Sequence, residues 1–319
     1  MKLQPILDRR VVLVSGKGGV GRTTVTAALA RAAASAGKRV LVAEIEEPAT
    51  QAQSTLARMF GREVLPVRPT LVAPGVHGCM LATEEGTEQF LGDVFRVQTL
   101  ARLALRNAAL RRLLHAGPSF HEMGIFYQLL HLVRQELPDG RPRWDFLVLD
   151  MPATGHTLAL TALPDILLRL VRRGPIAAAL REGQGWLNDP RTGCAVVVTI
   201  PEPLPVTESL ELVEGLQTTH MAVAAMVVNK VPEDPFSPQE RAALADLLPP
   251  GPLYGKEELA RLERTRISLE RLRGAARAPV LAVPLFPTDG QGAVEAMTAW
   301  FQAEEGLGSA PGPGAGGPA

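Results

Sequence analysis

The chain has 319 residues, 46% of them hydrophobic, and its 33 basic and 33 acidic side chains cancel. That length suits one large α/β domain or two small ones, and the apolar share is enough for a sizeable core. The zero balance argues against a nucleic-acid binder, which carries a basic excess; one local cluster, Arg102, Arg106, Arg111 and Arg112, reads as a solvated helix face. Two distant cysteines, Cys79 and Cys194, supply no C-x-x-C, so a cysteine-held zinc or iron–sulfur site is not expected. The six histidines lack a paired metal-binding spacing. The first ten residues, MKLQPILDRR, lack the apolar run of a signal peptide. No stretch approaches the ~18 apolar residues of a membrane helix. A cytoplasmic protein is expected.

In chain order, Val11–Val14 is a short apolar run closed by a glycine-rich turn, which predicts a buried parallel strand. Thr23 to Ala36 is alanine-rich and predicts a helix, with Gly37 as its C-terminal glycine. Arg39 to Ala43 is the next strand. Residues 84–136 read as mostly helical, from Phe90, Val94, Val97, Leu100 and Leu103 and later Ile125, Leu129, Leu132 and Val133. Leu137-Pro-Asp-Gly-Arg-Pro breaks that pattern. Asp145–Asp150 is another buried strand. Gly155 to Arg173 returns to helix, interrupted at Pro164. Strands are predicted at Cys194–Ile200, Met221–Val228 and Val280–Val283, with helices at Val206–Leu216 and about 292–302. The alternation predicts an α/β fold: a doubly wound, mostly parallel sheet with a helical insertion. The expected organisation is one domain over 1–303, with helical parts at about 84–136 and 165–193. A Gly/Pro-rich tail over 304–319 is expected to be disordered.

The stretch Ser15-Gly-Lys-Gly-Gly-Val-Gly-Arg-Thr-Thr24 carries the chemistry. A glycine-rich loop between strand and helix aims successive backbone N–H groups at one point, and the helix N-terminus adds partial positive charge. Gly16, Gly18, Gly19, Val20, Gly21 and Thr24 would line a phosphate. Thr23 would offer its hydroxyl to Mg²⁺. Arg22 stands where the usual motif has lysine. It would keep positive charge near the outer phosphates. Lys17 is a second, early lysine.

With that lysine the loop resembles the deviant phosphate loop of ATPases that pair face to face across nucleotide. Asp150-Met-Pro-Ala-Thr-Gly-His-Thr-Leu158 resembles the D-x-A-P-T-G-H-T-L switch of the arsenite-pump (ArsA) and tail-anchored-protein-targeting branch, with Pro152 and Ala153 in swapped order. Val198-Thr-Ile-Pro-Glu-Pro-Leu-Pro-Val-Thr-Glu-Ser209 and Val227-Val-Asn-Lys230 are similar to two further segments of that branch. The resemblance runs from about residue 10 to 300. It implies a P-loop ATPase that uses ATP and Mg²⁺ and works as a homodimer or a heterodimer with a homologous ATPase. It implies an unidentified protein client, no nucleic acid and no stable membrane insertion.

The resemblance implies roles residue by residue. Asp150 would hold the Mg²⁺ hydration shell. Lys17 would reach the partner's phosphates. Thr154, Gly155 and His156 would sense the γ-phosphate, Asn229 would read adenine, and Pro284 would close over the base. The family's water-positioning aspartate falls in Ala43-Glu-Ile-Glu-Glu-Pro-Ala49, where Glu46 fits by distance from the strand and Glu47 by the Pro-Ala anchor. Either is one methylene longer than aspartate, and a ~1 Å misplacement costs on the order of 10²-fold in rate.

Three departures bear on activity. Arg22 brings a planar fork in place of a point charge, which predicts surviving binding and slower hydrolysis. That supports an alternative: a hydrolysis-poor regulatory subunit paired with an active homologue. Two cysteines cannot form the several-thiol metalloid site of the arsenite-pump proteins. About thirty residues separate Asp165 from Cys194, too few for a long Met-rich client insert. A client groove would then draw on residues 84–136, whose apolar stripe reads first as packed core. Ser119–Gly124 would supply a glycine-containing loop at the dimer face. A DNA- or membrane-bound partition ATPase is the third reading. Neutral charge, the missing basic tail helix and the Thr-Gly-His-Thr switch argue against it.

Overall fold

The computed structural model describes residues 3–46, 54–95, 120–152, 154–170, 172–247 and 255–304. Eight strands form one sheet in the order β3-β4-β2-β5-β1-β6-β7-β8. They are β1 (Val11–Gly16), β2 (Val40–Ile45), β3 (Thr70–Ala73), β4 (Val76–Leu81), β5 (Phe146–Asp150), β6 (Gly193–Thr199), β7 (Val223–Val231) and β8 (Val280–Pro284). All neighbours run parallel except β3 and β4, which form an antiparallel hairpin at one edge. The doubly wound, mostly parallel α/β fold follows from this order.

The described helices are α1 (Gln4–Leu7), α2 (Arg22–Ser35), α3 (Thr55–Met59), α4 (Thr83–Phe95), α5 (Phe120–Arg134), α6 (Thr154–Leu170), α7 (Pro175–Asn188), α8 (Pro203–Thr218), α9 (Pro238–Leu247), α10 (Lys256–Ala275) and α11 (Gly290–Glu304). Gly37 ends α2 at φ +82°, with Gly37 N–H on the Ala34 carbonyl and Lys38 N–H on that of Ala33. Helix α6 runs through Pro164 rather than breaking there. Leu160 and Leu163, both buried, pack that helix onto the sheet, and their burial offsets the ~3 kcal/mol an interior proline costs. Among the described residues no helix is long and apolar enough to cross a membrane.

The period-two alternation of the strands sorts side chains into two cores. Val11, Leu13, Leu41 and Leu147 join Ile125, Leu130, Leu160, Leu180 and Leu212 on one face. Val12, Val14, Val40 and Val148 join Ala28, Leu29, Leu56, Met297 and Phe301 on the other. Cys79 belongs to the first core and Cys194 to the second; both are free and buried, and burial pushes each thiol up to about 12. The arginine cluster 102–112, the tail 305–319 and Glu47 lie outside the described residues.

Helices α4 and α5 cross at two glycines. A Cβ on Gly86 would sit 1.8 Å from the Gly124 carbonyl oxygen, and one on Gly124 would sit 2.6 Å from that of Thr83. Gly124 is thus inside a helix, in a backbone-to-backbone crossing, and not in the loop expected for Ser119–Gly124.

Beneath the sheet's N-terminal edge, the Arg39 fork holds Asp145, with Nε–Oδ2 at 2.7 Å and Nη2–Oδ1 at 2.5 Å. These bonds keep the Asp145 carboxyl below its ordinary range. Its folded-state value is depressed, so its contribution is present above pH ~4 and is lost as pH falls through the folded value. Asp145→Asn is expected to lower the melting temperature at pH 7, with the difference from wild type closing toward pH 2. A gap that stays constant across that range would refute this origin.

Candidate functional site

Strand β1 lies between β5 and β6, where successive connections depart to opposite sides. Such a reversal leaves a crevice beyond the carboxyl ends of the strands. The register sets what faces it: Val14 lies beside Asp150, Gly16 beside Val198, and Glu44 beside Asp150.

Residues Lys17–Gly21 form the loop that leaves β1, and Arg22 starts α2. Gly19 and Gly21 hold φ of +85° and +87°, a left-handed backbone that favours glycine. Gly16 is needed for a different reason: a Cβ there would lie 2.3 Å from the Val198 carbonyl oxygen. The first turn of α2, with its unpaired N–H groups, opens on this loop. Asn229, buried at the end of β7, donates from Nδ2 to the Val20 carbonyl at 2.9 Å. Its amide therefore braces the loop. Lys230, at φ +57°, reaches the Gly19 carbonyl from Nζ at 3.3 Å.

Arg22 turns inward. Its Nε donates to Asp150 Oδ1 at 3.0 Å, and its Nη1 donates to the Gly16 and Pro152 carbonyls, each at 3.2 Å. The fork is thus spent on the strand ends behind the loop. Thr23 Oγ1 donates to the other carboxylate oxygen, Oδ2, at 2.6 Å, and Thr26 Oγ1 lies 3.4 Å from Oδ1. Burial raises the proton affinity of Asp150, and Arg22 with the threonine hydroxyls opposes it.

Arg22, Thr23, Asp150 and Pro152 line a cavity of about 210 Å³ with Glu44, Ile45, Ser54, Thr55, Met80 and Met151. A hydroxyl and carboxylates on one cavity are hard oxygen donors. They fit Mg²⁺, which keeps several waters and takes one or two protein carboxylates beside phosphate oxygens. Among the described residues no cluster of three His, Cys, Asp or Glu side chains competes as a metal site.

The remaining expected site residues are more dispersed. Lys17 Nζ binds Glu208 Oε1 on α8 at 2.5 Å, in a pair roughly 40% exposed at one end and a third at the other. Thr24 lies half-buried in the first turn of α2. Thr154 opens α6, with Gly155 and His156 exposed behind it. His156 Nδ1 is 3.5 Å from Glu122 Oε1 on α5. His121 Nδ1 pairs with Thr83 Oγ1 at 2.6 Å, and burial lowers the His121 pKa. Glu46 follows β2, with its N–H on the Leu81 carbonyl. Pro284 ends β8, half-buried and in register with Val231.

Two contacts escaped the sequence. Ser15 Oγ and Thr157 Oγ1 share a buried hydrogen bond of 2.7 Å that ties β1 to α6. Both stand inside the two motifs, and no spacing rule links residues so far apart. Glu44 stands one residue beyond the strand predicted to end at Ala43, inside β2 as observed. A carboxylate inside the apolar run Val-Leu-Val-Ala-Glu-Ile was the available signal.

A family model described as anion-transporting ATPase (ArsA) matches residues 9–176. The ATPase BagA of Mycobacterium tuberculosis is 26% identical over 242 residues, covering 74% of this chain and 69% of its own length. An ATPase ASNA1 homolog of Leishmania braziliensis is 32% identical over 231 residues, covering 60% of this chain and 55% of its own. An ATPase ASNA1 homolog of Trypanosoma cruzi is 27% identical over 278 residues, covering 71% and 75%.

Proposed function

This chain belongs to the ArsA family of anion-transporting ATPases, and from that premise we propose that it binds ATP with Mg²⁺ and works in the cytoplasm as a nucleotide-switched dimer. Hydrolysis in that dimer is coupled to a protein client or partner. The dimer is a homodimer or a pair with a homologous ATPase, and neither nucleic acid nor stable membrane insertion enters the reading. The observation that carries it is the Thr23 hydroxyl on the Asp150 carboxylate at the foot of a glycine-rich loop.

The roles follow from position. The N–H groups of residues 18–24 and the start of α2 take the phosphates. Thr23 would hold Mg²⁺ and Asp150 its hydration shell, and the bound ion would neutralise charge on the transferred phosphoryl group. Lys17 exchanges Glu208 for the partner's nucleotide. Thr154, Gly155 and His156 respond to the γ-phosphate, and Asn229 and Pro284 border the base. Glu46 or Glu47 orients the attacking water. Metalloid transport is no part of the proposal, because the two thiols are buried in separate cores.

A second reading rests on one contact. Arg22 is tied to Asp150 and to two carbonyls, so its charge is withheld from the phosphates until those bonds break. That favours a subunit that binds ATP and hydrolyses it slowly. Arg22→Lys tests it beside wild type, by a nucleotide titration and by phosphate release with Mg²⁺. Lysine cannot make the three-way fork, and turnover is expected to rise about tenfold with ATP affinity kept. Equal rates in both proteins would favour a working engine with Arg22 in place of lysine. No ATP binding by wild type would overturn both readings.

A further inference from the structure

We propose that Glu44 is a second carboxylate of the cation site, holding beside Asp150 a water of the Mg²⁺ shell. This rests on the ATPase reading above and deepens it. Glu44 occupies the position in β2 directly in register with Asp150 in β5. Both line the 210 Å³ cavity with Thr23. Glu46 is not among the residues lining that cavity; its backbone is bound to Leu81 and its charge bears on His121. Among the described residues, Glu44 is therefore the acid that the fold brings to Asp150.

Its carboxylate is anchored rather than loose. Ser54 Oγ donates to Oε2, and the Leu56 N–H donates to Oε1 at 3.3 Å. Ser54 in turn caps α3 by accepting from the Ala57 N–H at 2.8 Å. One hydroxyl thus links the helix cap to the carboxylate. Carboxylates in register on neighbouring strands, Asp150 buried and Glu44 half-buried, repel, and positive charge between them relieves that. Arg22 supplies it to Asp150. Among the described residues no ion pair serves Glu44, although burial and the Asp150 charge both raise its proton affinity. A hydrated cation on Thr23 and Asp150 would answer both acids. Side chains that hold a metal's water or orient its ligands change affinity by about 10–100-fold when removed.

The test is a fluorescent ATP analogue titrated in EDTA and across Mg²⁺ concentrations, for wild type, Glu44→Gln, Glu44→Asp and Ser54→Ala. Glu44→Gln is expected to raise the Mg²⁺ needed for half-maximal binding about tenfold and to leave EDTA affinity within about twofold. Glu44→Asp should recover part of the shift, because the charge is kept. Ser54→Ala keeps the charge and frees the carboxylate, and should shift the Mg²⁺ requirement about threefold. It carries the test if Glu44→Gln does not fold, and no shift there overturns the proposal. A merely structural role would weaken binding equally with and without Mg²⁺, which also overturns it. Mg²⁺-linked binding by wild type with an unchanged Mg²⁺ requirement in Glu44→Gln overturns this inference alone. No nucleotide binding by wild type overturns the ATPase reading with it.

Discussion

Asp150→Asn is expected to cut Mg²⁺-dependent ATP turnover by at least ~10²-fold, the scale of losing one preorganised electrostatic contact. Three groups converge on this carboxylate: the Arg22 guanidinium and the hydroxyls of Thr23 and Thr26. Asparagine keeps the shape but replaces one acceptor oxygen with a donor, facing groups that donate. It also removes the negative charge that would hold the cation's water. ATP affinity in EDTA is expected to stay within about threefold, since in the proposed reading loop N–H groups, not Asp150, hold the phosphates. Phosphate release and a nucleotide titration measure the two quantities. Turnover within tenfold of wild type would take Asp150 out of the proposed machinery.

Gly86→Ala is expected to destabilise the protein by about 3 kcal/mol, the upper range for overpacking a close-packed contact. The added methyl would lie 1.8 Å from the Gly124 carbonyl oxygen. Its obstacle is backbone on the facing helix, so no rotamer change relieves it. Either α4 and α5 separate or α4 shifts along its axis. At about 2 °C per kcal/mol for a chain of this size, the melting temperature should fall by about 6 °C. Alanine at Gly155, where a Cβ meets nothing within 4 Å, is the matched control. A fall of under 1 °C for Gly86→Ala would mean that the crossing is looser than the structure has it.

The six strands legible in the sequence are apolar runs, fully buried in β1, β5 and β6 and partly so in the edge strand β8, because a run without polar interruption has few other places to go. The β3–β4 hairpin escaped for the opposite reason. β3 is an exposed edge of four residues, and β4, Val-His-Gly-Cys-Met-Leu, is broken by His77 and Gly78. Its signal was Pro74–Gly75, with Gly75 at φ +73° between paired Ala73 and Val76. A proline–glycine turn between two short apolar pieces reads as a hairpin. The buried face of α10 is Leu262, Thr265, Ser268 and Leu272, half of it polar, so it shows no continuous apolar stripe. At the site, the motifs singled out Arg22, Thr23 and Asp150, whose side chains line one cavity, whereas Lys17, from the same loop, lies on Glu208. Motif spacing did not show that Arg22 faces Asp150, because a side chain's direction is a property of packing. It missed Glu44 because register between β2 and β5 is a long-range fact.

The tie between Lys17 and Glu208 bears on the dimer proposed above. In that dimer Lys17 cannot simply be added to a partner's phosphates; it must first leave an acid on its own chain. Closing is therefore an exchange of one anion for another. Partly exposed pairs of this kind contribute only ~0–1 kcal/mol, so the lysine leaves its acid at little cost. The sign of the exchange is set by how much negative charge the nucleotide presents. A triphosphate presents more negative charge than a diphosphate and draws the lysine from its carboxylate more strongly. Glu208 would then act as a reference against which the chain weighs its nucleotide. Its removal would blunt the distinction between ATP and ADP in the monomer–dimer balance.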